Sequence, residues 1–176
     1  MKNIYLLGLM GSGKTTIGRV LAKKLRMPFA DTDLLVKNIY GLPAGDFIKT
    51  RGLKAFRDAE NSVFKTVVGS GGRVIALGGG IIPTSVRGPK LKKSGVTIYL
   101  KCAQAALYAR LIKNIARRPL LGGSPEQAKR ALARLLKKRR PYYEQADLKL
   151  DTSGLTPEAA AVKICKLLGN HETYLR

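Results

Sequence analysis

Residues 8–16 read GLMGSGKTT and directly follow MKNIYLL, a short apolar run. Gly8, Gly13, Lys14 and Thr15 satisfy the spacing G-x-x-x-x-G-K-[ST]. Glycines at that spacing let successive backbone N–H groups turn inward around phosphate oxygens. Ile17, Val20, Leu21 and Leu25 then recur at helical spacing, so a helix begins at the loop and adds its positive end. A glycine turn that merely caps a helix is the plainer reading, and the strand before and amphipathic helix after argue against it. Gly11, Ser12, Gly13, Lys14, Thr15 and Thr16 are the candidate nucleotide contacts. Lys14 is placed to bridge the β- and γ-phosphates of a nucleoside triphosphate, and the Thr15 hydroxyl to meet Mg2+.

A strand–loop–helix unit of this kind needs parallel partners. Strands are predicted at 2–8, about 28–31, 73–77 (RVIAL), 96–101 (VTIYLK) and 147–151 (DLKLD). Helical patterns fill the gaps. Ser124 with Pro125 and Gln127 makes a capping box ahead of the stripe Ala128, Ala131, Leu132 and Leu135. Thr156 caps a last helix that stops at Gly169. Strand–helix alternation implies a three-layer α/β/α domain around a five-stranded parallel sheet, of P-loop kinase type. Ligands in such sheets bind beyond the carboxyl ends of the strands.

At 176 residues and 45% hydrophobic, the chain suits a single domain, 1–176, with a core of its own. It has no apolar run of spanning length and no signal-peptide shape at the N-terminus, so a cytoplasmic protein is expected. Cys102 and Cys165 are read as packing residues, and no catalytic part is expected of His171 in the C-terminal tail.

The acceptor side of the reaction is less explicit. ADTD, 30–33, puts two acids one residue apart at a strand end, facing the crevice. One could hold the metal and the other take a proton from a hydroxyl, while Asp33 could equally cap the following helix. AFRDAE carries Arg57 on a helix, with Glu60 in reach as an i,i+3 ion pair. Gly78–Gly80 follow the third strand, which points to close approach of backbone to a ligand.

With FR at 56–57, RRPLL at 117–121 and KKRRPYYEQAD at 137–147, these motifs in this order resemble the shikimate kinase family, within the nucleoside monophosphate kinase-like group. The resemblance covers nearly the whole chain. It implies transfer of the γ-phosphate of ATP to the 3-hydroxyl of shikimate. It implies Asp33 as base and shikimate ligand, and Asp31 with Thr15 at Mg2+. Arg57 and Arg139 would take the substrate carboxylate, with Arg140 the rival of Arg139. Gly79 and Gly80 would contact substrate, and Arg118, with Arg117 as rival, would reach ATP from a lid near 112–124. Arg110 would approach the adenine, as would the stretch DTSGLTP at 151–157. A shikimate-binding subdomain would span about 33–61. There the family carries Gly-Glu shortly before Phe-Arg, and this chain has Gly52-Leu53.

Two arginine forks converging on a carboxylate suit a small hydroxy acid. Shikimate and ATP are therefore the expected partners, without a membrane and with the chain as a monomer. The net charge of +22, from 33 basic and 11 acidic residues, favours anionic ligands in general. It leaves two alternatives: a gluconate or nucleoside monophosphate kinase of the same fold, or a basic nucleotide-dependent RNA-binding protein. Aromatic content of 6% without tryptophan offers no stacking platform for RNA.

Overall fold

The computed structural model describes residues 1–81, 84, 87–113, 119–122 and 124–171. Five strands form one sheet: β1 (Asn3–Leu7), β2 (Phe29–Asp31), β3 (Val74–Ala76), β4 (Gly95–Lys101) and β5 (Leu148–Asp151). Their order is β2-β3-β1-β4-β5, and every pairing is parallel. The strands predicted from alternation of patterns all form, each within a residue or two of its expected ends.

The helices are α1 (Lys14–Leu25), α2 (Thr32–Tyr40), α3 (Ala44–Gly69), α4 (Arg87–Ser94), α5 (Gln104–Leu111), α6 (Pro125–Tyr143) and α7 (Pro157–Gly169), with a 3-10 turn at Pro119–Leu121. The expected caps are in place. The Ser124 hydroxyl accepts from Gln127 N at 3.2 Å and Gln127 Oε1 accepts from Ser124 N at 3.2 Å. Thr156 Oγ1 accepts from Ala159 N at 3.2 Å.

β1 explains why the sheet needs cover on both sides. All five of its residues are buried, and alternation sends Tyr5 and Leu7 one way and Ile4 and Leu6 the other. Tyr5, Leu7, Ile75, Leu77 and Tyr99 pack with Phe47, Phe56, Val63 and Phe64 of α3. Ile4, Leu6, Val96 and Ile98 pack with Ile17 and Leu21 of α1 and with Ala160 and Ile164 of α7. Cys165 lies against this second cluster, and Cys102 is buried in a third one beneath α5 and α6. Both cysteines are packing residues, as expected.

β1 leads off towards β2, while its neighbour β4 leads off towards β5. Their carboxyl ends therefore open a crevice. Asp147 pins the entrance of β5 against β4 by accepting from Thr97 N at 2.8 Å and Thr97 Oγ1 at 2.6 Å. That contact fixes where the last turn of α6 points, and this turn carries Arg139 and Tyr143. His171 follows the far end of α7. The start of α7, Pro157, lines the crevice, and His171 lies beyond the other end of that helix and outside the cleft lining. Among the described residues no helix is long and apolar enough to cross a membrane.

α3 is two helical pieces. Gly52 interrupts it at φ 81°, ψ 162°, a conformation essentially reserved for glycine. A Cβ there would meet nothing within 4 Å, so backbone conformation alone calls for the glycine. The break falls at the Gly52-Leu53 departure and separates Ala44, Gly45 and Ile48 from Phe56, Arg57 and Glu60.

Candidate active site

The crevice is a cleft of about 550 Å³. It is lined by Gly11, Gly13, Lys14, Thr15, Thr16, Asp31, Asp33, Arg57, Gly79, Gly80, Arg110 and Arg139, so most of the residues singled out from sequence converge on it. Ser12 does not present its side chain there. It is 1% exposed, and its Oγ is packed under the loop, where a Cβ on Gly8 would come within 2.7 Å of it. Only its backbone is available to a nucleotide. Arg117, Arg118 and Gly123 lie outside the described residues, which leaves the lid reading of 112–124 to rest on sequence.

The cradle forms because Gly13, at φ 92°, precedes α1 without any side-chain cap. The helix start thus carries no side-chain cap, and its first residues, Lys14, Thr15 and Thr16, line the cleft with the positive end of the helix. Lys14 Nζ donates to Gly8 O at 2.9 Å and Leu9 O at 3.1 Å, which folds its charge back over the loop. Arg110 Nη1 donates to Gly11 O at 3.1 Å and flanks the same loop. Thr152, Leu155 and Pro157, from the stretch after β5, also line the cleft.

The two acids divide their work differently from the expectation. β2 ends at Asp31, and Asp33 sits in the first turn of α2. Asp31 is the cap: its Oδ1 accepts from Asp33 N at 2.9 Å and Leu34 N at 3.3 Å. The capping reading of Asp33 is therefore corrected to Asp31. An N-cap carboxylate must stand at the strand–helix junction, one position before the helix, and only Asp31 does. Asp31 Oδ2 accepts from Thr15 Oγ1 at 2.6 Å. Asp33 is thereby released from backbone duty and faces the cleft. Burial, with Asp31 and Glu60 nearby, pushes its carboxyl up to about 6, against the pull of Lys14 and Arg57.

Arg57 Nη1 donates to Glu60 Oε2, and Glu60 is 2% exposed. The i,i+3 pair read from the sequence forms, is half-buried and is part of the cleft wall. Burial holds the Glu60 carboxyl above its ordinary value while Arg57 pulls it down. The Arg57 guanidinium also lies 5.6 Å from the centroid of the Phe56 ring. Arg139 is buried and lines the cleft, whereas the Arg140 side chain is 63% exposed and pairs with Glu144 at 3.5 Å. The helix phase of α6 thus separates the two rivals. Arg139 Nη1 is buried with no hydrogen-bond partner among the described residues. A buried cationic N–H without a partner is a seat for an anion.

Three supporting residues carried no signal by themselves. Tyr143 is 1% exposed, tilts against Tyr99 at 5.2 Å between centroids and donates to Gly79 O at 3.3 Å. Burial pushes its phenol up to about 12, with Arg139 pulling the other way. Thr32 Oγ1 accepts from Gly78 N at 2.6 Å. Arg87 Nη1 donates to Gly80 O at 3.3 Å, and its Nη2 donates to Asn61 Oδ1. The spacing of Tyr143, four residues after Arg139 on one helix, was the one available clue.

A family model described as Shikimate kinase matches residues 10–169. The shikimate kinase of Thermodesulfovibrio yellowstonii is 40% identical over 166 residues, covering 94% of each chain. That of Caldicellulosiruptor bescii is 38% identical over 167 residues, covering 95% of each. Among solved structures, the shikimate kinase from Acinetobacter baumannii in complex with shikimate is 32% identical. It superposes with a TM-score of 0.90 over 98% of this chain and 95% of that one.

Proposed function

The chain belongs to the shikimate kinase family, and we propose the roles by which its own residues run that reaction. The activity is ATP-dependent transfer of the γ-phosphate to the 3-hydroxyl of shikimate, giving shikimate 3-phosphate and ADP. The observation that carries the residue assignment is that Arg139, whose buried Nη1 has no hydrogen-bond partner among the described residues, lines the same cleft as Asp33, Arg57 and Lys14.

Arg139 and Arg57 take the shikimate carboxylate between them, Arg57 being held in place by buried Glu60. That fixes the ring, and the hydroxyl edge turns towards Asp33 and the cradle. Asp33, ionised above about pH 6, receives the proton of the 3-hydroxyl as its oxygen bonds to the γ-phosphorus. The bond from that phosphorus to the β–γ bridging oxygen breaks, and ADP leaves with the electron pair. Such a transfer needs mainly alignment and neutralisation of charge. Backbone N–H groups of 11–15 and the Lys14 ammonium supply both on the phosphate side, joined by Arg118 of the 112–124 lid. Residues 33–61 form the acceptor-binding subdomain.

The donor set fits Mg2+. Thr15 hydroxyl and Asp31 carboxylate are hard oxygens 2.6 Å apart beside the cradle. Among the described residues no trio of His, Cys, Asp or Glu forms an all-protein cage. An ion held by one or two protein oxygens and by substrate phosphates suits that arrangement. When bound, it would offset charge on the β- and γ-oxygens.

Every group named comes from one chain, so a monomer suffices, and we place the reaction in the cytoplasm. A coupled ADP-release assay with shikimate, gluconate and CMP as acceptors tests the assignment. Turnover with shikimate alone is expected. Turnover of gluconate or CMP with none of shikimate would overturn it.

A further inference from the structure

Three consecutive glycines follow β3 after Leu77, and none of them sits at positive φ, so a left-handed backbone is not what calls for glycine at 78–80. What these glycines provide is space. A Cβ on Gly78 would lie 2.3 Å from Asp33 Oδ1. One on Gly80 would lie 1.6 Å from Arg57 Nη1 and 2.6 Å from Glu60 Oε2. One on Gly79 would lie 3.1 Å from Arg139 Nη1, a tight but tolerable approach. Each missing side chain thus faces one of the three charged groups of the acceptor pocket. The turn is itself clamped by three side chains from other elements: Thr32 on Gly78 N, Tyr143 on Gly79 O and Arg87 on Gly80 O.

We propose that Gly78–Gly80 is a template: each glycine sets the position of one functional side chain, Gly78 that of Asp33, Gly79 that of Arg139 and Gly80 that of Arg57. This rests on the roles given above for those three side chains. It assigns Gly78 and Gly80 as positioning residues that act through a partner, rather than as donors of backbone contacts to substrate. The clashes fall on the ends of side chains and not on backbone, so an added methyl displaces function before it displaces fold.

The template makes the effects pair off. Gly78→Ala moves the base and should lower kcat by ~10²-fold with the shikimate KM within about threefold, since an ångström of misplacement has that cost. Gly80→Ala moves the guanidinium and should raise the shikimate KM by ~10-fold or more with kcat within about threefold. Gly79→Ala should show the smallest effect of the three, on the shikimate KM. The ATP KM should stay within about twofold in all three, because the cradle is untouched.

The decisive measurement is a cycle with Arg57→Ala. Once the guanidinium is gone, and with it the ion pair that holds Glu60 Oε2 against Gly80, Gly80→Ala should cost much less in shikimate kcat/KM than it does alone, and a Gly80→Ala variant that folds poorly should be improved by Arg57→Ala. An additive cycle, a double variant that also fails to fold, or Gly79→Ala as the most damaging of the three overturns the template. Asp33→Asn and Arg57→Lys assayed alongside separate the two claims. If those leave shikimate kinetics unchanged, the side-chain roles fail; if they act while the glycine variants do not pair off, only the template fails.

Discussion

The proposed triphosphate cradle is one uninterrupted run, 8–16, that would meet an anion through backbone N–H groups and a single lysine. The acceptor pocket, across the same cleft, brings Asp33 from α2, Arg57 from α3, Gly78–Gly80 from the end of β3 and Arg139 from α6. The first is made by local geometry and works wherever a strand, a glycine turn and a helix succeed one another. The second exists only when four elements are packed in register, and each charged group depends on a neighbour that is not adjacent in sequence. The cradle therefore concentrates its chemistry in few groups. The pocket spreads its chemistry over partners such as Glu60, Thr32, Tyr143 and Arg87.

Substitutions should reveal this contrast. The largest effect is expected on the cradle side: Lys14→Met removes the one side-chain cation of the loop and should lower kcat by ~10³-fold, read in a steady-state assay. Loss confined to the ATP KM would show that the backbone alone carries transition-state charge, and would widen the contrast further.

On the pocket side Asp33→Asn comes next, with kcat down by ~10²–10³-fold while ATP still binds. The same substitution has a second, opposite effect. The Asp33 carboxyl is raised in the folded state from 3.8 to about 6, so the native protein binds the proton more tightly than the unfolded chain does. Stability therefore rises as pH falls from about 6 towards 3.8, and ionised Asp33 costs stability at neutral pH. Asp33→Asn should raise the melting temperature at pH 7.5, by an amount equivalent to roughly 1–3 kcal/mol, and the gain should shrink below about pH 6. An inactive variant that is also less stable would mean the carboxylate holds the fold instead. For the unaltered enzyme kcat/KM should decline as pH drops through about 6, where the base becomes protonated.

Arg57→Lys should raise the shikimate KM by ~10-fold, because a point charge cannot present a fork to both Glu60 and a carboxylate. An unchanged KM would remove Arg57 from the pocket and shorten the list of distant contributors. The smallest effect separates neighbours on one helix. Arg140→Ala should change shikimate kinetics less than about twofold, as suits an exposed ion pair, whereas Arg139→Ala should raise KM well beyond that. Equal effects would mean that field, not geometry, binds the acceptor, and the contrast would collapse.

Most of the fold could be read along the chain, for the reason that made the cradle readable. Buried parallel strands advertise themselves as short apolar runs, and α6 and α7 carry their caps in sequence as SPEQ and TPE. The departure from the family pattern at Leu53 could be seen, but not the break inside α3 that the preceding Gly52 causes. Of the pocket, the residue types were visible and their partnerships were not. Asp31 and Asp33 looked alike until β2 ended between them. Arg139 and Arg140 looked alike until the phase of α6 buried one. The glycine triplet could be seen to need close approach, but what approaches is Asp33, Arg139 and Arg57, which lie up to sixty residues away along the chain.

The amino-acid sequence by itself determined the strand–loop–helix proposed to hold phosphate, because backbone dihedrals, helix caps and glycine spacing act between near neighbours. It also determined the alternation of patterns that compels a covered parallel sheet. Only the tertiary structure decided which acid caps and which faces the cleft, which arginine is buried with an unpartnered Nη1, and what the glycines make room for. Those outcomes depend on burial and on contacts between remote elements, and neither exists until the chain has closed around its core.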